Sequence, residues 1–262
     1  MIDIHTHILP GIDDGSPDLE TSIKMAEIAA SEGIDIMVAT PHFIPKDKEI
    51  ERDRVLKKTE ELNEYIKNKA GLDIAVYPGE EVFLSPEVPD LFSQGKLITL
   101  FDGGKYLLVE LPMMSIPPYT KDVLHALMLK GAKPIIAHPE RNREIARDLD
   151  RLKELVSLGA LVQVNSLSFY GVFGRDAKHT AQRIVAEGMA QFMATDCHTA
   201  RARSPRYLKT LQMLPQSKIN LLMQENPEKV MTGRDIEASS ERDKKSGKMN
   251  LFQKLTFFLG QL

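Results

Sequence analysis

One cysteine, Cys197, in 262 residues leaves no partner for an internal disulfide, which fits a reducing compartment. An excess of one charge is also missing. Lysine and arginine number 34 against 37 aspartates and glutamates, a net charge of -3, and this argues against a general polycation for nucleic acid or membrane surfaces. No apolar run has the length of a membrane span. Met1-Ile2-Asp3-Ile4-His5 carries no basic stretch leading into an apolar one, so no secretory signal is expected and a cytoplasmic location is. No glycine-rich dinucleotide fingerprint is present. What remains, 42% hydrophobic and 27% charged, is ordinary for a globular protein, and a βα barrel of this length is commonly one domain.

Seven strand-like segments alternate with helical ones. Strands are predicted at 1–6, 34–40, 73–82, 106–111, 134–137, 161–165 and 191–195, from short apolar, partly β-branched runs bounded by Gly or Pro. Helices are predicted at 18–32, 46–69, 120–130, 150–158 and 176–187, with others reaching about 232, and Gly33, Gly131, Gly159 and Gly188 stop four of them. Such alternation implies parallel βα units. About seven such units without that fingerprint favour a barrel over an open doubly wound sheet. In such barrels the active site lies where the strands finish.

Chemistry-bearing residues fall at those ends. His5 and His7 stand two apart on the first strand, so their imidazoles share a face, and imidazole suits Zn, Fe, Mn and their neighbours. Asp14 comes soon after that strand, and His42, Glu80, Glu110, His138, Asp196 and His198 lie at or just past the ends of later ones. The nine exceed what one ion takes, and a carboxylate such as Glu80 or Asp196 can bridge two. Imidazole and carboxylate without thiolate suit a catalytic centre with open positions. Arg141 and Arg203 lie three and five residues after His138 and His198, where guanidinium forks match phosphate oxygens. His125 and His179 lie within predicted helices and are assigned to the surface or to packing. Met113 and Met114, in a Pro-rich loop, are candidates to touch an aromatic substrate ring.

Cys197 to Arg203 also spells Cys-x5-Arg, the spacing of cysteine-dependent phosphatases. The adjacent Asp196 disfavours a thiolate, and the loop holds no glycine for a tight amide cradle. The cysteine is therefore read as a small residue filling space between ligands.

Taken together, Asp-Ile-His-Thr-His-Ile-Leu-Pro-Gly-Ile-Asp-Asp-Gly, Ala-Thr-Pro-His-Phe, Pro-Gly-Glu-Glu, Val-Glu-Leu-Pro, Ile-Ala-His-Pro-Glu-Arg-Asn and Ala-Thr-Asp-Cys-His resemble the polymerase-and-histidinol-phosphatase superfamily. The chain is similar in particular to its bacterial protein-tyrosine-phosphatase branch, which acts in capsule and exopolysaccharide synthesis. The resemblance runs from Met1 to about Thr232. It implies a distorted seven-stranded, TIM-like βα barrel and a metal cluster, often trinuclear and manganese-dependent, with Fe, Co or Zn as other occupants. Carried over by motif, His5, His7, Glu80 and Asp196 hold a first ion. Glu80, Glu110 and His138 hold a second, and Asp14, His42 and His198 a third. Arg141 and Arg203 bind the phosphate. A histidine often stands in the superfamily where this chain has Asp14, so the third site is expected to be weaker or to choose another ion. The implied substrate is a phosphotyrosine protein, a tyrosine kinase of polysaccharide export, attacked in line by a metal-bound hydroxide. Histidinol phosphate is the rival substrate of the same superfamily, and a silent phosphotyrosine-binding module the non-enzymatic alternative. No nucleic-acid partner is expected, since no basic groove is evident.

Residues 1–235 are read as the phosphatase barrel and 236–262 as a charged linker followed by an amphipathic segment. Leu251, Phe252, Leu255, Phe258, Leu259 and Leu262 recur there at helical spacing beside lysines. That composition suits docking on the barrel, self-association, or contact with the inner membrane face.

Overall fold

The first strand, β1 (Ile2–Thr6), is buried along its whole length, which fits a run flanked on both faces. The computed structural model of the protein describes residues 1–238. Eight further strands follow: β2 (Ile36–Ala39), β3 (His42–Phe43), β4 (Ala75–Pro78), β5 (Glu81–Phe83), β6 (Tyr106–Glu110), β7 (Lys133–Ala137), β8 (Leu161–Asn165) and β9 (Phe192–Ala194). All pair in parallel, in two sheets of order β1-β2-β4 and β3-β5-β6-β7-β8-β9.

All seven predicted strand regions are present. Two of them are broken, and that differs from the expected seven-stranded barrel. The third divides at Gly79-Glu80 into β4 and β5, and the second, which ends as β2, is continued past Thr40-Pro41 by the short β3, outside the predicted range. Proline has no N–H for a ladder, and glycine has no side chain to hold one. Each broken strand leaves one sheet and enters the other. Among the described residues the ladders do not close into a single barrel. At the far edge β1 meets the segment after β9, where Asp196 N–H donates to the His5 carbonyl and His7 N–H to that of Cys197, both at 2.9 Å.

Alternation along the strands separates core from site. On β6, Tyr106 and Leu108 join one buried apolar cluster while Leu107 and Val109 join another. Glu110 continues the first face. On β8, Leu161 belongs to that same cluster, and Gln163 and Asn165 extend its face as buried polar groups. The apolar interior thus gives way to polar side chains as the strands end.

Helix 19–31 is capped by Asp18, whose carboxylate accepts from Thr21 N–H at 2.8 Å. The predicted helix from Lys46 begins only at Arg52. Residues before it form a tight turn, with Ile44 and Lys48 exchanging backbone hydrogen bonds of 2.9 and 2.8 Å and Lys46 left-handed at φ 67°. At the opposite face, Tyr106 Oη donates to the Arg234 carbonyl and Lys133 pairs with Asp235. The described chain therefore ends away from the site. No helix of the described residues is long and apolar enough to cross a membrane. The amphipathic segment 249–262, and the linker before it except residues 236–238, lie outside the described residues.

Candidate metal and phosphate site

Five histidines and four acids from strand ends far apart in sequence line or floor one cavity of about 410 Å³. His5 and His7 come from the end of β1. His42 opens β3, Glu81 opens β5 and Glu110 closes β6. His138 follows β7, and Asp196 and His198 follow β9. Parallel register aligns three of these ends, placing His42 beside Glu81 and Phe83 beside Glu110. His138 and Asp196 both occupy the left-handed region, at φ 30° and 52°, an unfavourable backbone that turns their side chains into the site.

Glu81 lies at the centre. Its Oε2 is 3.3 Å from His5 Nε2, 3.3 Å from His7 Nε2 and 3.0 Å from His42 Nδ1, and its Oε1 is 2.8 Å from His138 Nε2. Burial opposes its ionisation, yet His5, His138 and His42 hold the carboxyl well below the usual range. Glu110 is close to His138 and His42, at 3.7 and 3.8 Å. Asp14 faces His42 and His198 at 3.4 and 3.6 Å.

Glu80 takes no part in this cluster, and here the sequence expectation is corrected. Its Oε2 accepts from Ile98 N–H at 2.8 Å, and its Oε1 is buried without a hydrogen bond. Burial pushes its carboxyl up to about 8. Adjacent residues entering a strand point to opposite faces, so the one-residue choice within Glu80-Glu81 reverses the side chain's surroundings.

Several groups were not anticipated. Asp13, beside Asp14, accepts from His7 Nδ1 at 2.6 Å. Gln163 and Asn165 form a directional relay. Asp196 can only accept when ionised, and burial is outweighed by His5, His138 and Arg203, which keep it so. Asn165 therefore turns its amide nitrogen to Asp196 Oδ2 at 2.7 Å. Its oxygen takes Gln163 Nε2 at 2.8 Å, which leaves Gln163 Oε1 for His5 Nδ1 at 2.9 Å. Phe173 lies under both phosphate-binding candidates, with its ring centre 4.5 Å from the Arg141 guanidinium carbon and 5.7 Å from that of Arg203. No sequence motif singles out Gln163, Asn165 or Phe173. Asp13 was visible in the Asp-Asp-Gly run, but nothing there assigned it to His7.

The donor set fits metal ions. With both Nδ1 atoms hydrogen-bonded to acceptors, neutral His5 and His7 carry their lone pairs on Nε2. Those two nitrogens are 3.2 Å apart, and both face Glu81 Oε2, which makes no well-aligned hydrogen bond. Acceptors converging on one point need a positive charge between them. Protons alone could supply it: although burial opposes protonation, Asp13 and Glu81 push His7 up to about 10. A cation supplies the same charge while leaving the imidazoles neutral. Four overlapping groups bring ligand atoms within 4.8 Å of one another: His7, Asp14, His42 and His198; His5, His7 and Glu81; His5, His138 and Asp196; His42, Glu81 and Glu110.

Arg141 Nη1 and Arg203 Nη2 each bond one oxygen of Asp196, at 2.8 and 2.7 Å, and both arginines line the cavity. Met113 lines it too, whereas Met114 is 61% exposed outside it. His125 and His179 are exposed on helices, as expected. Cys197 is fully buried in the core. Burial, then Asp3, pushes its thiol well above the usual range, which leaves no thiolate for attack. Cys197→Ser is expected to keep kcat/KM within about threefold of the parent for the folded fraction. Loss of all turnover in correctly folded variant would restore the thiolate mechanism.

A model of the family described as "Capsular polysaccharide synthesis, CpsB/CapC" matches residues 1–232. Tyrosine-protein phosphatase YwqE of Bacillus subtilis is 36% identical over 239 residues, covering 90% of this chain and 93% of its own. Putative tyrosine-protein phosphatase CapC of Staphylococcus aureus is 37% identical over 213 residues, covering 80% and 82%. A solved structure from work on YwqE and on CpsB of Streptococcus pneumoniae, described as unique metal-dependent tyrosine phosphatases, superposes with a TM-score of 0.84 at 36% identity. It covers 90% of this chain and 96% of that one.

Proposed function

The chain belongs to the CpsB/CapC family, and on that premise we propose that it is a metal-dependent protein-tyrosine phosphatase serving capsule or exopolysaccharide synthesis. One observation carries the reading: two arginines anchored on the same carboxylate stand in a cavity floored by converging imidazoles and acids. His5, His7, Glu81 and Asp196 would hold one ion, Glu110 and His138 with Glu81 a second, and Asp14, His42 and His198 a third, as the family motifs imply. Manganese is the proposed occupant, with Fe, Co or Zn as competitors. Bound ions lower the pKa of a water and neutralise phosphoryl oxygens.

The chain's own residues do the rest. Arg141 and Arg203 commit one terminal nitrogen each to Asp196 and offer their other terminal nitrogen to the phosphate, where charge develops as the bond to the leaving oxygen breaks. Asp196 fixes both forks, so little side-chain freedom is lost on binding. Phe173 supports them from beneath. Ile44, Phe83 and Met113 form an apolar part of the lining and seat the tyrosine ring. Phenol, with a pKa of about 10, leaves more easily than an alkoxide, so a phosphotyrosine ester needs less proton donation than phosphoserine. Residues 1–235 carry the activity, the proposed protein substrate is a tyrosine kinase of polysaccharide export, and 236–262 serve as linker and attachment segment.

A matrix of substrates and ions tests this. Phosphotyrosine peptide, phosphoserine peptide and histidinol phosphate are each assayed with Mn, Zn, Co and Fe. Phosphotyrosine is expected to give the highest kcat/KM, with Mn the best ion. Preference for histidinol phosphate under every ion would replace the reading with a small-molecule phosphatase.

A further inference from the structure

Lys48 is a third cation lining the cavity, besides Arg141 and Arg203. It is half-buried in the segment after β3 and paired through its backbone with Ile44, and Ile44, Phe83 and Met113 line the same cavity. The turn that carries it is rigid, closed by the paired backbone bonds between Ile44 and Lys48. Further bonds brace it: Lys46 N–H donates to Glu49 at 2.8 Å, and the Lys46 ammonium pairs with Glu87. Lys48 makes no ion pair among the described residues. Nor does it share Asp196 with Arg141 and Arg203, which reach the cavity from the segments after β7 and β9.

Resting on the phosphotyrosine reading above, we propose that Lys48 binds a carboxylate side chain next to the phosphotyrosine, so that the enzyme selects acidic phosphotyrosine segments. With the ring against Ile44, Phe83 and Met113, the peptide backbone emerges past the turn that bears Lys48. An ammonium on a fixed turn attracts a neighbouring Glu or Asp of the substrate and repels a neighbouring Lys or Arg. Ions bound to the cluster offset its acids, which otherwise compete for the same ammonium. Lysine suits this task because its flexible stem reaches a point charge without demanding bidentate geometry.

The test uses the full chain loaded with Mn and three phosphotyrosine peptides that differ only in their flanking pairs: two Glu, two Gln or two Lys. The parent is expected to favour the Glu peptide over the Gln peptide by about tenfold in kcat/KM, chiefly through KM, and to lose that ratio as salt rises. Lys48→Met brings the ratio to about one, Lys48→Glu inverts it toward the Lys peptide, and Lys48→Arg restores it. A parent without preference, or a preference that survives Lys48→Met, overturns the proposal. A uniform fall on all three peptides does so as well, because it makes Lys48 a third phosphate ligand. A parent that turns over none of the three, with any metal, defeats the phosphotyrosine reading itself.

Discussion

Glu81→Gln is expected to lower kcat/KM by at least about a hundredfold, and Glu80→Gln to leave it within about threefold. Glu81 touches four imidazoles, and an amide in its place offers one neutral acceptor and two donors where only acceptors fit. Metal content, measured on the purified variants, should fall with activity for Glu81→Gln alone. The Glu80 side chain lies outside the cluster, and burial raises its carboxyl to about 8, which favours the protonated form at neutral pH. Glutamine mimics that neutral form. A second readout follows from proton linkage. Between an unfolded value of about 4.3 and the folded value near 8, the folded state binds more protons, so stability falls as pH rises across this window. Glu80→Gln removes that slope. Its Tm should therefore gain on the parent between pH 6 and pH 8.5. Equal damage to metal content and activity from both substitutions would return Glu80 to the site.

Removal of metal is the second large effect. A chelator is expected to abolish phosphatase activity, and added Mn to restore it. The parent should also lose thermal stability, since an ion held at a hundred times its Kd contributes about 2.7 kcal/mol. The loss has a structural reason as well as a chemical one. Glu81, Glu110 and Asp196 are buried together; Arg141 and Arg203 balance Asp196, and without cations the charge of the other two must be balanced by protons, on the imidazoles or on Glu110, which burial and Glu81 push up to about 7. Proton release on metal addition, followed in weakly buffered solution, reads the same exchange directly. Full activity after exhaustive chelation, with metal content verified as nil, would refute metal dependence.

Much of this site was legible in one dimension because its ligands cluster at the ends of predicted strands. Strand periodicity put His5 and His7 on one face, and the His-Pro and Asp-Cys-His runs marked the ends of β7 and β9. What failed did so where one residue of register decides. Glu80 and Glu81 are chemically identical in sequence. Only the break at Gly79, which shifts the chain from one sheet to the other, determines that Glu81 pairs beside His42 and turns inward. Gln163 and Asn165 carry no metal-ligand signature. Their role arises from a hydrogen-bond direction imposed by Asp196, which follows a different strand.

The parallel α/β class, the strand regions and eight of the nine side chains gathered in the cluster were readable from the chain alone, because burial periodicity and side-chain chemistry are local properties. Which glutamate lies at the centre, the division of the ladders into two sheets, the packing of Phe173 against both arginines and the place of Lys48 in the cavity wall came from the three-dimensional arrangement. Those outcomes depend on where separate strands place their ends against one another. No local pattern encodes that placement.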